Sequence, residues 1–372
     1  MIVYIDTAQE VFRARVKLKV SRLSESEEMT RYFYLDYLRI YATIAVVTIH
    51  VSASKVSSDT FKTDLFGWFS GNFYETLSRA SVPIFVMISG ALLLNDKRSL
   101  TISQFLKKRV NKVAIPLVAW SIIYYVAKVY NNTFVFSLKE FIYKFFTDNI
   151  VAHLWFMYTI LGLYLITPLL KILVRNATKR DVEYFLGLWI FASIIAKLMV
   201  YLVGFSLSME LFFVTNYVGY FVLGYYLFKY QFSKKYIALT QISLVIGLLG
   251  TFFLTYYGTV KNGGILDQYW YAYHSVTVFM ISVGIFTLFK DILYKSKLNI
   301  NSKLNWFSQA SFGIYLVHLL VLNYLFASVT GKVWDHLHPI IGIPVNVAIV
   351  LIISAIITFI IQKIPVLKNI VP

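Results

Sequence analysis

The chain has 372 residues, 58% of them hydrophobic and 14% charged, with no cysteine and a formal net charge of +17. A soluble domain carries roughly a quarter charged residues, so the composition excludes an ordinary soluble enzyme and places the chain among membrane proteins. The absence of cysteine also excludes disulfides, thiolate catalysis and Cys-held metals.

Residues 1–30 are polar and mixed in charge, without the apolar core of a signal peptide. They read as a cytoplasmic N-terminal tail, or as sequence upstream of a start at Met29. From there on, apolar stretches of about 20 residues, the length a spanning helix needs, recur to the end. Ten are expected, near 35–54, 73–95, 113–130, 151–173, 184–204, 211–228, 236–257, 269–289, 306–328 and 341–362. Residues 31–364 therefore form one all-α polytopic membrane domain, followed by a short tail over 365–372. With both termini cytoplasmic, the inner loops and tail hold 19 Lys and Arg and the outer loops 7. Such a bias sets orientation. The positive charge is thus a mark of topology, and no nucleic-acid partner is expected. Residues 96–112, "DKRSLTISQFLKKRVNK", combine Phe105 and Leu106 on one side with a basic cluster on the other, which predicts a separate amphipathic helix on the cytoplasmic surface.

Polar groups inside the spans are costly unless they face a partner or a wet cavity. Arg39 stands near the inner end of the first span and His50 about 16 Å further out, at 1.5 Å per residue. Arg79 is expected roughly 9 Å below the outer boundary of the second span. His153, His274 and His318 also fall in the middle or outer half of the membrane, on other helices. Each has a plainer reading. Asp36 and Arg39 can neutralise each other at the interface; His153 beside Trp155 can be a boundary anchor; His274 can be a neutral packing residue. Lys197 reads as snorkelling outward, and His336 and His338 as a solvated loop. His50 fits the plain reading least, because nothing near it in sequence pairs with it. The histidines are scattered with no carboxylate near the buried ones, so no metal site is expected. There is no glycine-rich phosphate loop and no nucleophile elbow.

"LDYLRIYATIAVVTIH", with its Arg, ten residues and His, resembles the first helix of the acyltransferase-3 family of integral membrane acyltransferases. Four further stretches follow in that family's order: "RASVPIFVMISGALLL", "FLKKRVNKVAIPLVAWSIIY", "HLWFMYTILGLYLITPLL" and "SFGIYLVH". Together they cover residues 31 to about 362. The family's basic pair after the second helix is often two arginines; here Arg109 is followed by Lys112, which keeps the charge and loses the bidentate fork. The resemblance implies transfer of a short acyl group, acetyl by default, from cytoplasmic acyl-coenzyme A to a hydroxyl of a cell-envelope glycan or lipid-linked sugar, at a bacterial cytoplasmic membrane. It implies no permanently bound cofactor. On this reading Arg39, Lys108, Arg109 and Lys112 hold the coenzyme, and His50, with Arg39, carries the catalysis. Arg79, His153, Trp155, Tyr315 and His318 line the acceptor side. Many relatives carry an extracytoplasmic hydrolase-like domain; a chain ending at Pro372 is expected to reach its acceptor directly or through a separate partner protein. Two other classes stay open: an exporter of a polysaccharide or lipid-linked glycan, and a non-catalytic domain that recruits an envelope enzyme. Coenzyme consumption separates transfer from both.

Overall fold

A backbone in hydrocarbon must satisfy its polar groups internally, so apolar runs of this length can cross only as helices. The computed structural model describes residues 32–98, 101–204, 211, 215–296, 301–325 and 327–372, and they contain helices and no strand. In chain order, with a one-turn helix at Ser58–Thr63 left unnumbered, the main helices are α1 (Phe33–Ser52), α2 (Leu65–Ser78), α3 (Ser81–Leu94), α4 (Ile102–Tyr130), α5 (Leu138–Phe146), α6 (Trp155–Asn176) and α7 (Lys179–Ile190). They continue as α8 (Ala196–Val203), α9 (Tyr217–Lys229), α10 (Lys234–Lys261), α11 (Val276–Ser296), α12 (Ser302–Leu320), α13 (Ala327–His336) and α14 (Pro339–Lys363). Residues Tyr34–Pro372 form one compact unit, while the segment expected as an N-terminal tail lies outside the described residues.

Among the described residues, nine helical stretches are long and apolar enough to cross a membrane. The tenth expected span, near 211–228, is instead α9, which has 13 residues and at 1.5 Å per residue reaches only about 20 Å. It is buried on every side from Gly219 to Tyr225, as befits a helix that is apolar all round. Protein, not lipid, surrounds it. The backbone contact that makes this possible is visible at two glycines. A Cβ on Gly90 of α3 would stand 1.8 Å from the Phe221 carbonyl oxygen of α9, and one on Gly224 would stand 2.0 Å from that of Met87. Membrane helices without a hydrophobic force between them approach closely through such small residues.

Two expected elements are placed differently. The second span begins at Leu65 rather than 73, and it is broken between α2 and α3. Arg79 sits at that break, 14 residues and so about 21 Å from Leu65, deeper than the sequence suggests. The basic segment expected as a separate surface helix is the first part of the continuous 29-residue α4, opened by a capping box at Thr101 and Gln104. Its two-sided character persists: Phe105 is buried, while Lys107, Lys108 and Lys112 are exposed. The last residues turn back onto α4, where the Trp120 indole N–H donates to the Ile370 carbonyl at 2.9 Å.

Candidate active site

Two helices and one turn bring three histidines together. His50 lies near the outer end of α1, His153 in the turn before α6, and His318 near the end of α12. Their ring centroids are 5.0 Å apart for His50 and His318, 5.1 Å for His153 and His318, and 6.4 Å for His50 and His153. His153 is 2% exposed and His318 0%. His50 keeps part of its surface accessible, so of the three it is the one that borders open space.

The cluster is held by hydroxyls and carbonyls. The Nδ1 atom of His318 is 2.5 Å from the Tyr315 carbonyl oxygen. A carbonyl only accepts, so Nδ1 carries the proton of the neutral ring and Nε2 presents a lone pair. That Nε2 is buried and has no hydrogen-bond partner. The Tyr315 hydroxyl donates to the His153 carbonyl, which fixes the turn before α6 against α12. The His153 ring lies beside Leu316, with neither nitrogen in a hydrogen bond of good geometry, and packs 5.1 Å from the Tyr124 ring.

Tyr124 does more than pack. Its hydroxyl donates to the Leu316 carbonyl at 2.7 Å and accepts from the Leu320 N–H at 3.0 Å. An α-helix would pair those two groups with each other. Immediately beyond, Val321–Leu325 is π-helical, a local widening often found at functional sites. His318 therefore stands where α12 is pried open by a side chain from α4.

Arg79 belongs to the same end of the bundle. Its guanidinium pairs with the Glu75 carboxylate one turn earlier, lies over the Tyr271 ring at 4.1 Å, and acts electrostatically on His50. Glu75 is completely buried, and its second oxygen accepts from the Ser52 hydroxyl on α1 at 3.0 Å. Tyr271 in turn donates to the Asn72 side chain at 2.6 Å. Glu75 thus reaches the trio only indirectly, through Arg79 and through Ser52, two residues past His50. Its sequence signal was an i,i+4 pair with Arg79. On the outer side Trp155 is half-buried, with the rings of Tyr217 and Tyr273 at 5.6 and 5.7 Å. No group of three or more His, Asp or Glu among the described residues is arranged to hold a metal ion.

Arg39 is at the other end of α1. It is eleven positions from His50, about 16 Å along the axis and only about 20° around it, so both project from one face. Arg39 pairs with Asp36 at 3.0 Å, and Asp36 also accepts from Ser308 at 2.8 Å. Arg39 and Arg109 both act on Tyr164 of α6, which brings α1, α4 and α6 together around two guanidiniums. Arg109 is half-buried there, whereas Lys108 and Lys112 are exposed. The structure thus gathers His50, Arg79, His153, Tyr315 and His318 at one end, with Trp155 on their outer side. Arg39 and Arg109 meet at the other end, and the two lysines stay at the surface. His274 stands apart from the trio, 8% exposed and 4.9 Å from the Tyr217 ring.

In the outer loop before α6, Asp148 adopts φ 55° and acts on Tyr158 and Tyr315. Burial pushes its carboxyl up to about 6.

A family model described as an acyltransferase domain, that of the acyltransferase-3 family, matches residues 32–362. The chain belongs to the acyltransferase-3 family. No curated protein and no solved structure matches it. This acyltransferase therefore carries its family's domain over nearly its whole length, and both polar centres lie inside the matched region.

Proposed function

We propose that the acyltransferase moves a short acyl group, acetyl first among the candidates, from cytoplasmic acyl-coenzyme A to a hydroxyl of a cell-envelope glycan or lipid-linked sugar, in the cytoplasmic membrane of a bacterium. One observation carries the reading. A partly accessible His50, packed on two buried imidazoles and within reach of Arg79, shares a helix face with an arginine at the cytoplasmic end. Arg39 and Arg109, joined by the surface cations Lys108 and Lys112, suit the coenzyme's phosphates. The thioester then has to reach about 16 Å up α1 to meet His50.

At that point His50 takes the proton of the attacking hydroxyl as general base. The hydroxyl oxygen bonds to the thioester carbonyl carbon, and the coenzyme leaves as its thiolate, which the proton on His50 neutralises. His318, with its Nε2 lone pair inside the cluster, accepts a hydrogen bond from the protonated form of a neighbouring imidazole and so steadies the charge. Arg79 is placed to stabilise negative charge developing on the carbonyl oxygen. Trp155 and Tyr273 offer faces on which a sugar ring stacks.

The test is thiol release from acetyl-coenzyme A by the purified protein in detergent, with and without an envelope glycan extract. Release should need both the extract and His50, and His50→Ala should lower it at least 100-fold with expression unchanged, as general-base catalysis contributes roughly that much. Retained release in His50→Ala would remove His50 from the chemistry. Coenzyme binding with no release from any glycan extract would point to a different acyl donor or a missing partner protein.

A further inference from the structure

At the end of the bundle that the loop charges assign to the outside, a pocket of about 420 Å³ lies between α8 and the segment leading into α11. Lys197, Tyr201, Tyr269 and His274 line it, with apolar surface between them. Three features set it apart from a packing gap. The His274 imidazole is 8% exposed, and its Nε2 has no hydrogen-bond partner. The Tyr269 hydroxyl is likewise buried without a partner. Lys197, close enough to act electrostatically on His274, takes part in none of the ion pairs among the described residues.

The nearest carboxylate does not cancel this charge. Asp267 accepts from the Tyr201 hydroxyl at 2.5 Å and from the Tyr269 N–H at 3.0 Å. Those bonds hold it beneath the stacked Tyr201 and Tyr269 rings, 3.9 Å apart. An exposed ammonium, a buried hydroxyl without an acceptor and the Nε2 of an imidazole that also meets the Asn216 backbone thus face one space. A buried hydroxyl without an acceptor is costly; a bound anion gives the Tyr269 hydroxyl one, pairs with Lys197, and favours the protonated imidazole, whose Nε2 then donates as well.

The surroundings specify the kind of anion. Lys197 is 18 residues into the span that begins at Lys179, about 27 Å along it, inside the roughly 30 Å hydrocarbon thickness but near enough to its edge for the ammonium to reach the headgroups by snorkelling. Leu202 and Val203 of α8 are 59% and 69% exposed and meet acyl or prenyl chains. The Tyr217 ring lies 4.9 Å from His274 on one side and 5.6 Å from Trp155 on the other. The pocket is therefore two ring contacts from the aromatic wall beside the histidine trio.

We propose that this pocket binds the phosphate of a lipid in the outer leaflet, Lys197, Tyr269 and His274 supplying the donors. Two lipids carry that chemistry: an anionic phospholipid, and a phosphate-linked polyprenyl carrier of the acceptor sugar. The second rests on the acyltransferase reading given above; binding itself does not.

The experiment is thermal stability of the purified full chain in detergent doped with phosphatidylglycerol, with a polyprenyl phosphate, with neutral diacylglycerol, or with inorganic phosphate alone. Both phosphate lipids should raise the midpoint, and diacylglycerol should not. Lys197→Gln and His274→Gln should each weaken lipid binding about tenfold or more, the loss of one hydrogen bond to a charged group. Lys197→Arg should keep it, which separates lost charge from lost folding. His50→Ala should bind like the parent, so failure of transfer leaves the site standing. Preference for the polyprenyl phosphate assigns the acceptor's carrier, and equal response assigns a phospholipid. A midpoint unmoved by any phosphate lipid, an equal shift in Lys197→Gln, or saturation by inorganic phosphate alone overturns the proposal.

Discussion

Replacing Glu75 by glutamine removes one charge from a pair that has no other carboxylate to turn to. Glu75 is 0% exposed, and the Arg79 side chain is 16% exposed. Breaking a buried pair from one side typically costs about 3–5 kcal/mol, because the remaining charge is stranded. Arg79 keeps some access and its place over the Tyr271 ring, so the lower end applies. About 3 kcal/mol is a shift of roughly 150-fold in the folding equilibrium. Glutamine retains an acceptor for Ser52, which leaves the tie to α1 in place. The assay is a double-mutant cycle on stability in detergent, with Glu75→Gln, Arg79→Gln and both together. Each single change should destabilise strongly, and the double should cost well under the sum, since it leaves no stranded charge. Thiol release should fall in Glu75→Gln even at temperatures where the variant remains folded, because Arg79 is no longer held toward His50. Additivity within about 0.5 kcal/mol, the behaviour of independent sites, would refute this account of the pair.

Tyr124→Phe leaves the Leu316 carbonyl and Leu320 N–H without the hydroxyl between them; it should cost about 1–3 kcal/mol in detergent unfolding and lower thiol release. Parent-like stability together with parent-like release would show that α12 closes its own gap. Gly90→Ala puts a methyl 1.8 Å from the Phe221 carbonyl oxygen, which requires backbone movement and should reduce folded yield sharply on size-exclusion profiles. Gly187→Ala, with nothing within 4 Å of the new carbon, should not. For Asp148 the sign follows from burial: its carboxyl is raised from 3.8 to about 6, so folding takes up a proton between those values. Stability therefore falls as pH rises across that window. Asp148→Asn, which tolerates positive φ, should raise the thermal midpoint near neutral pH, with the gain vanishing toward about pH 4. An equal gain at both ends would show that ionisation is not the cause.

The apolar runs and the loop charges were legible because lipid enforces length and composition one segment at a time. The histidines could be flagged singly for the same reason, since each is an expensive residue in its own span. Their convergence could not: it depends on how α1, α6 and α12 pack, which leaves no periodic trace in any one of them. Tyr124 passes for one more aromatic among 28 tyrosines, and only the Leu316 and Leu320 groups it separates reveal its role. Glu75 was masked by the expectation that its helix starts at 73, which puts it at the boundary where a carboxylate is unremarked. The short α9 has the composition of a span, but its length and the close contacts at Gly90 and Gly224 mark it as enclosed by protein.

The zone between the two polar centres bears on whether a glycan crosses here or only an acyl group is handed over. Between Arg39 and His50 the polar side chains of α1 are Tyr41, Thr43 and Thr48. Thr43 donates to the Arg39 carbonyl and Thr48 to that of Ile44, each one turn back on its own helix, and Tyr41 donates to the Leu77 carbonyl. All three hydroxyl donors are spent on backbone. A translocated sugar sheds water along its path and needs replacement partners at every depth, which this face of α1 does not offer. On the proposed reading, a thioester arm anchored by its phosphates near Arg39 and Arg109 is a single slender chain with far fewer polar groups to re-partner than a glycan. On that reading, the apolar stretch that would obstruct an exporter is the stretch that would keep water from the thioester.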